Sequence, residues 1–270
     1  MSATEVATQP VALAATAYGA TGPRVAFLHG LFGQGRNFTG VAKALATDTR
    51  VLLVDLPDHG RSPWSANFSY PQAADQVAEL LAARAPGESW AVVGHSMGGK
   101  VAMLMALRHP ELVERLSVVD VAPVATAAIS SFGTYVSALR SVDLDALPDR
   151  AAADRAVAQT VPDPEIRGFL LQNLRRDAGT NGRWRWQMNL DLLGDRLPQI
   201  ADWPAVSGTY AGPVLWLAGA QSDYVRDDHG PAMRALFPRL RLVRVKEAGH
   251  WVHADQPAVF VATLHRFVHP

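Results

Sequence analysis

Short apolar runs alternate along the chain with longer stretches in which apolar residues recur at helical spacing. The run at residues 50–55 is continuous, which is typical of a strand buried on both faces of a parallel sheet. The apolar runs predict strands at residues 24–28, 50–55, 90–94, 116–121, 213–217 and 240–245. The stretches between them predict helices at residues 38–46, 71–84, 97–108, 228–237 and 257–268. Strands that alternate with helices indicate βαβ units, so the predicted fold class is α/β with a doubly wound, mostly parallel sheet.

Residues 124–207 interrupt this alternation. The stretch contains helical patterns, several prolines and a cluster of Arg and Trp at residues 183–186, but no convincing buried strand. An inserted segment that carries only helices would lie over one end of the sheet. We therefore predict an α/β core formed by residues 1–123 and 208–270, with a helical cap inserted at residues 124–207.

Composition and charge exclude several classes of function. The 25 Lys and Arg residues balance the 25 Asp and Glu residues, which argues against a nucleic-acid partner and against strong attraction to anionic lipid. The absence of Cys excludes disulfides, a thiolate metal site and a Cys nucleophile. No apolar run approaches the roughly 18–20 residues that span a bilayer, and no Lys or Arg precedes Arg24 to form the charged region of a secretory signal. We therefore expect a cytoplasmic protein without a membrane span, while the composition leaves its oligomeric state open.

The strongest chemical signal is the segment Gly-His-Ser-Met-Gly at residues 94–98. It follows a predicted strand and begins a predicted helix. A serine at such a sharp turn has a strained backbone, and the flanking glycines remove Cβ atoms that would clash there. The turn would project the Ser96 hydroxyl above the carboxyl edge of the sheet, at a helix N-terminus with its positive dipole end. We predict that Ser96 is a nucleophile; the alternative is a glycine-rich turn with a capping serine.

A serine hydroxyl needs a base to become a good nucleophile. His250 follows the last predicted strand, so it should lie at the same sheet edge as Ser96. We predict that His250 is this base, against the alternative of a loop histidine with a structural hydrogen bond. His253 is expected to start or cap the final helix.

The acid that orients His250 has two candidates. Asp120 follows a buried apolar run, where a carboxylate is costly without a partner, and His250 is the obvious partner. Asp223 follows the next predicted strand, but the usual spacing puts Ser222 at the position of the acid. This reasoning favours Asp120 and leaves Asp223 as the alternative. Ser222 is then expected to hydrogen-bond to His250 or Asp120.

An oxyanion hole needs two backbone donors near the nucleophile. One is expected from the amide of Met97, which follows Ser96. The other is expected from the glycine turn at residues 29–33, with Leu31 as the donor and Phe32 as its neighbour. The alternative is a tight turn without a catalytic role.

Five segments together resemble the α/β-hydrolase superfamily, and more narrowly the small YbfF-like esterases and a mitochondrial abhydrolase branch in animals. The segments are residues 29–33, 55–62, 94–100, 118–123 and 249–254. The resemblance implies the α/β-hydrolase fold with a cap, an acid at Asp120 and a serine at Ser222 that joins the network. It also implies hydrolysis of carboxylic esters with short to medium acyl chains, or of acyl-thioesters, without a cofactor or a metal.

The cap and the loops around Ser96 are expected to select the substrate, a small-molecule acyl ester or thioester. The predicted substrate contacts are His29, Phe32, His95, Trp184, Trp186 and Trp251. Phe132 and Phe169 are further candidates for lining the pocket. The arginines at residues 175, 176, 183 and 185 form either a solvated face or a site for an acidic substrate, and the solvated face is favoured.

Three other functions remain open at this stage. The same fold supports C–C bond hydrolysis and cofactor-free perhydrolysis, and the fold does not decide between these reactions. A non-catalytic receptor is the third, and a complete set of Ser96, His250 and an acid argues against it.

Overall fold

The structure is a computed structural model that describes residues 13–126, 129–177 and 182–270. Its strands are β1 (Ala15–Tyr18), β2 (Arg24–Leu28), β3 (Arg50–Val54), β4 (Trp90–His95), β5 (Val113–Val119), β6 (Leu174–Arg176), β7 (Trp184–Trp186), β8 (Val214–Gly219) and β9 (Leu240–Val245). Its helices are α1 (Thr39–Leu45), α2 (Tyr70–Arg84), α3 (Met97–Arg108), α4 (Ile129–Arg140), α5 (Arg150–Ala158), α6 (Pro164–Leu171), α7 (Leu190–Asp195), α8 (Leu197–Ala201), α9 (Gly230–Leu236), α10 (Val252–Asp255) and α11 (Pro257–Val268).

Seven strands form the main sheet, in the order β1-β3-β2-β4-β5-β8-β9. Within the described residues, β1 pairs antiparallel with β3 and the other neighbouring strands of this sheet are parallel. The predicted mostly parallel sheet flanked by helices is therefore confirmed. The sequence did not predict β1, because it lies at the sheet edge and its partly exposed positions form no continuous apolar run.

Helices cover both faces of the sheet, which explains the continuous apolar strands. Along β2, Val25 and Phe27 point to a cluster that includes residues of α1 and α11. Ala26 and Leu28 point to the opposite cluster, which includes residues of α2 and α3. Successive side chains of a strand face opposite sides, so each apolar strand serves both clusters.

The segment between β5 and β8 carries α4 to α8 and a small sheet in which β6 pairs antiparallel with β7. The helices agree with the predicted cap, but the two strands were not predicted. Each has three residues, of which Leu174 and Trp186 are buried, so no strand period is visible in the sequence. Asn173 joins this cap to the core, because its side chain accepts from Gln34 Nε2 at 2.7 Å and donates to the Phe32 carbonyl at 2.8 Å. The exact domain boundaries stay a prediction.

The helices are short, and the longest described one, α2, has 15 residues. Among the described helices, none combines the length and the apolar character that crossing a membrane requires. The cytoplasmic location stays a prediction from the sequence.

The parallel strands end at one edge of the sheet. The loops after β2, β4, β5, β8 and β9 carry the turn at residues 29–33, Ser96, Asp120, Ser222 and His250. In open α/β sheets, ligands bind in the crevice outside the carboxyl ends of the strands. The candidate residues therefore meet where such a fold places a site.

Candidate active site

Ser96 lies at the sharp turn between β4 and α3, with a φ of 53° and a ψ of −120°. A non-glycine residue with positive φ is strained and persists only where its surroundings hold it. The Ser96 amide donates to the Val119 carbonyl at 3.0 Å, which helps to fix the turn. A Cβ atom at Gly94 would lie 2.2 Å from the Gly98 carbonyl oxygen, and one at Gly98 would lie 2.4 Å from the His29 carbonyl oxygen. Glycine at both positions therefore allows the turn to close.

His250 lies in the loop after β9 and meets Ser96 across the sheet edge. Its Nε2 lies 3.0 Å from Ser96 Oγ, and its Nδ1 lies 2.8 Å from Asp120 Oδ2. With the Nδ1 proton facing the carboxylate, Nε2 has a lone pair that can accept the serine proton. The ring of Tyr224 stacks on the imidazole, with centroids 3.8 Å apart and an interplanar angle of 20°. The imidazole is thus held at its edge and on its face.

Asp120 directly follows β5, has a φ of 49° and is fully buried. Its Oδ1 accepts the Gly219 amide at 3.0 Å, while Oδ2 accepts the Ser222 hydroxyl and faces His250. A buried carboxylate is costly unless it is paired and hydrogen-bonded, and here both oxygens have partners. Asp223 is exposed, and no hydrogen bond joins it to His250 in the described part of the chain. The structure therefore brings Asp120, and not Asp223, to His250.

Two backbone amides beside Ser96 are free to bind an anion. Leu31 and Met97 line the same cavity as Ser96, and within the described residues neither amide has a hydrogen-bond acceptor. The Phe32 amide, in contrast, donates to His59 Nε2 at 3.2 Å. Met97 also begins α3, whose N-terminus adds positive potential. This arrangement suits an oxyanion, although the catalytic role of both amides stays a prediction.

Three further histidines form part of the wall around the site. The Nε2 atom of His29 accepts the Leu56 amide at 3.0 Å, and burial lowers the pKa of His29 to about 3. His95 Nε2 lies 2.8 Å from the His250 carbonyl oxygen, and burial lowers the pKa of His95 as well. Burial also lowers the pKa of His253 to about 4. These three rings are therefore uncharged near neutral pH.

Two narrow cavities reach Ser96. The first has a volume of about 40 Å³, and its wall includes Leu31, Met97, Tyr70, Lys100, Phe132 and Tyr224. The second has a volume of about 20 Å³ and also reaches His250. Its wall includes three predicted substrate contacts, His29, His95 and Trp251, together with Phe132, Phe169 and His253.

Three other predicted substrate contacts do not line either cavity, and their role stays a prediction. Phe32 is fully buried, and its ring packs against that of Phe132 with centroids 6.0 Å apart. Trp186 pairs with Leu174 across the small cap sheet and is buried there. The guanidinium of Arg176 lies over the ring of Trp184 in a cation–π contact, 4.7 Å from the ring centroid. All three aromatic rings stabilise the fold of the cap or its junction with the core.

Sequence reasoning missed Tyr70, Lys100 and Tyr224, which belong to the wall of the first cavity. Tyr224 has the most direct contact with the site, because its ring stacks on His250. Burial raises the pKa of Tyr224 to about 12, so its hydroxyl stays protonated near neutral pH. Its place in the same loop as Ser222 was the one available signal in the sequence.

Three of the four arginines at residues 175–185, Arg176, Arg183 and Arg185, are exposed, as the favoured interpretation predicts, whereas Arg175 is half-buried near Arg36 and Arg150. Arg183 pairs with Asp145, and Arg185 lies 4.0 Å from Asp177. Neither Arg183 nor Arg185 lines a cavity at Ser96.

One cluster among the described residues has ligands that suit a metal ion. It consists of Asp48, His265 and His269, whose ligand atoms lie within 4.8 Å of one another. His265 Nε2 already lies 2.8 Å from Asp48 Oδ2. None of the three lines the cavities at Ser96, so the cluster is separate from the chemistry described above.

Comparisons with known proteins agree with this fold. A family model described as alpha/beta hydrolase fold matches residues 23–257. The chain is 42% identical over 255 residues to the sn-1-specific diacylglycerol lipase ABHD11 of Mus musculus, covering 92% of this chain and 82% of that protein. It is 28% identical over 244 residues to esterase YbfF of Escherichia coli (strain K12), covering 90% of this chain and 92% of that protein.

A solved structure of a marine microorganism esterase has a TM-score of 0.91 and 31% identity, and the match covers 95% of this chain and 99% of that chain. The chain therefore belongs to the α/β-hydrolase fold family, within which it is an esterase/lipase-type hydrolase that resembles the YbfF-like esterases.

Proposed function

We propose that this protein is a serine carboxylesterase that forms an acyl-enzyme on Ser96. The observation that carries the proposal is the continuous contact from Ser96 Oγ through His250 to the buried carboxylate of Asp120. Such a hydrogen-bonded set of serine, histidine and carboxylate activates a weak hydroxyl nucleophile. A receptor on the same fold has no need for it.

In the acylation step, Ser96 Oγ attacks the acyl carbonyl carbon while His250 Nε2 takes the hydroxyl proton. The carbonyl oxygen becomes an anion, which the Leu31 and Met97 amides bind. The intermediate collapses, the bond between the acyl carbon and the alcohol oxygen breaks, and His250 gives its proton to the leaving alcohol. Asp120 accepts a hydrogen bond from the protonated Nδ1 of His250 and stabilises the imidazolium.

In the deacylation step, water replaces the alcohol. The water oxygen attacks the acyl carbon of the ester on Ser96 while His250 takes one proton from the water. The second intermediate collapses, the bond to Ser96 Oγ breaks, and His250 returns the proton to the serine. The products are one carboxylic acid and one alcohol for each ester and water consumed.

The proposed substrates are esters with short to medium acyl chains, with acyl-thioesters as a second group. The small volume of the cavities at Ser96, about 40 Å³ and about 20 Å³, supports a compact reacting group at the nucleophile. The names of the relatives, a diacylglycerol lipase and an esterase, support carboxylic esters as the reacting bond.

The test is pre-steady-state hydrolysis of p-nitrophenyl butyrate, combined with mass spectrometry of the trapped acyl-enzyme. We expect a burst of nitrophenol and an acyl adduct on the peptide that contains Ser96. Ser96→Ala should lose about 10⁶-fold in kcat, as removal of a serine nucleophile does elsewhere. Ser137→Ala, an exposed serine on α4, is the matched control and should keep both signals. Equal turnover by Ser96→Ala contradicts the proposal, and a folded wild type without turnover favours the receptor.

A further inference from the structure

A groove of about 860 Å³ opens between the cap helix α6 and the core helices α1 and α11. Its walls are mainly apolar and include Val41, Ala44, Ile166, Ala258, Val261 and Ala262. The mechanism proposed above does not use this space. The groove is also far larger than either cavity at Ser96.

The groove lies next to the smaller of these two cavities. Both spaces share four wall residues, which are Asn37, Phe169, Trp251 and His253. The rings of Phe169 and Trp251 lie with centroids 5.9 Å apart and form part of this shared wall. Only these shared side chains separate a molecule in the groove from the cavity that reaches Ser96 and His250.

The charges around the groove restrict what it binds. Asp163, Glu165 and Asp255 contribute carboxylates to its wall. Among the described residues that line it, none is Lys or Arg. His253, one of the shared wall residues, is neutral near neutral pH because burial lowers its pKa to about 4. The wall also includes His265, but its Nε2 lies 2.8 Å from Asp48 Oδ2 and is already paired. Anionic groups such as phosphates and carboxylates therefore find no unpaired counter-charge among the described residues that line the groove.

We propose that the groove binds the aliphatic chain of a neutral ester whose ester group lies at Ser96. The apolar wall, the wall that the groove shares with the cavity at Ser96 and the acidic groups around the groove carry the proposal. It rests on the proposed function and deepens it, since it assigns the substrate an uncharged aliphatic chain in addition to the compact group at the nucleophile. The chain is either the acyl part or the alcohol part of the ester.

Burial of methylene groups in such a groove has a measurable signature. Each methylene that moves from water to an apolar wall should raise kcat/KM by roughly twofold to fourfold. The increase should continue along the groove and stop when the chain extends beyond it. A site limited to the two narrow cavities would instead reject longer chains.

The test compares two neighbouring substitutions on α11. Ala258 lines the groove, so Ala258→Trp should fill part of it. Val259 is 45% exposed and does not line the groove, so Val259→Trp is the matched control. Both changes place an indole on the surface of one helix, and thermal unfolding checks that both variants fold.

Two ester series separate the two sources of the chain. One varies the acyl part of p-nitrophenyl esters from butyrate to dodecanoate, and the other varies the alcohol of alkyl acetates from butyl to dodecyl. We expect Ala258→Trp to lower kcat/KM for the longest member of one series by about tenfold or more, while the value for p-nitrophenyl butyrate stays within about twofold. The series that responds identifies the part of the ester in the groove. Val259→Trp should leave both series as in the wild type.

Failure of the inference is distinct from failure of the proposed function. If Ser96-dependent hydrolysis of butyrate persists but Ala258→Trp changes neither series, the groove does not bind the chain and the proposed function stands. If no ester is hydrolysed, the proposed function fails, and calorimetric titration of Ser96→Ala with dodecyl acetate still tests the groove. Heat of binding that Ala258→Trp abolishes and Val259→Trp preserves supports the inference, and the absence of binding overturns it.

Discussion

At the scale of single residues, the site depends on one buried carboxylate. Asp120 has no exposed surface, yet each of its oxygens has a partner, and one of them faces His250. We expect Asp120→Asn to lower kcat about 10⁴-fold, because an amide leaves the imidazole in the wrong tautomer. Asp223→Asn should keep kcat within about twofold, since Asp223 is exposed. Steady-state hydrolysis of p-nitrophenyl butyrate measures both, and an inactive Asp223→Asn variant would assign the acid to the other carboxylate.

The ring stacked on His250 gives a second prediction at this scale. Tyr224 contacts the imidazole through its face, at a centroid distance of 3.8 Å. A stacked aromatic pair contributes about 0.5–1.5 kcal/mol, so Tyr224→Ala should lower kcat by roughly threefold to tenfold. Tyr224→Phe keeps the ring and should keep kcat, which separates stacking from any role of the hydroxyl. Equal losses in both variants would show that the hydroxyl, and not the stacking, matters.

Residue positions could be predicted from the sequence where backbone and chemistry give the same signal. Ser96 lies between two glycines at a strand end, and Asp120 and His250 each follow an apolar run. The structure brings these side chains together, while their roles stay predictions. The contact of Tyr224 depends on how a loop folds back, which no local pattern encodes. Trp184 and Trp186 do not line either cavity at Ser96, because aromatic residues in a cap give the same pattern whether they face a pocket or pack within the cap.

At the scale of elements, one lysine joins the helix after the nucleophile to the end of the cap. Lys100 lies on α3, is almost fully buried and donates from Nζ to the carbonyls of Ile200, Ala201 and Asp202 at 3.2, 2.6 and 2.8 Å. The Tyr70 hydroxyl also donates to the Ile200 carbonyl, at 2.7 Å. The last carbonyls of a helix lack partners within it, and here the core supplies donors for the end of α8. The position of the cap therefore depends on a buried ammonium group.

This contact predicts a pH dependence of stability. Burial lowers the pKa of Lys100 from its ordinary value of 10.5 to about 8. Between these two pH values the unfolded chain binds a proton at Lys100 and the native protein does not, so the contribution of this group to the free energy of unfolding rises with pH. We expect the unfolding free energy of the wild type minus that of Lys100→Met to increase as the pH rises through this window. Urea unfolding of both proteins at several pH values measures it, and a constant difference would mean that the lysine is not desolvated.

The order of the main elements could be predicted, while the small ones could not. The interior strands are buried on both faces, so β4 appears in the sequence as one apolar run. The edge strand β1 and the three-residue strands β6 and β7 bury too few positions to form a period. They depend on tertiary pairing, which local sequence does not record.

At the scale of the whole molecule, balanced charge leaves selectivity to local groups. The 25 basic and 25 acidic residues produce no net charge, so long-range attraction of a charged substrate is weak. The acidic side chains along the groove, Asp163, Glu165 and Asp255, should therefore decide between neutral and anionic substrates. A thioester of coenzyme A carries several phosphate charges, whereas the matching thioester of N-acetylcysteamine is neutral.

We expect the neutral octanoyl thioester to have a kcat/KM about tenfold above that of octanoyl-CoA at low ionic strength, and salt should reduce this ratio by screening the exposed charges. Glu165→Gln removes one of the groove carboxylates and should also reduce the ratio. Glu79→Gln is the control, because Glu79 is exposed on α2 and does not line the groove. If octanoyl-CoA were instead hydrolysed faster than the neutral thioester at low salt, the substrate would contact Arg175 and Arg176 of the cap rather than the acidic groove.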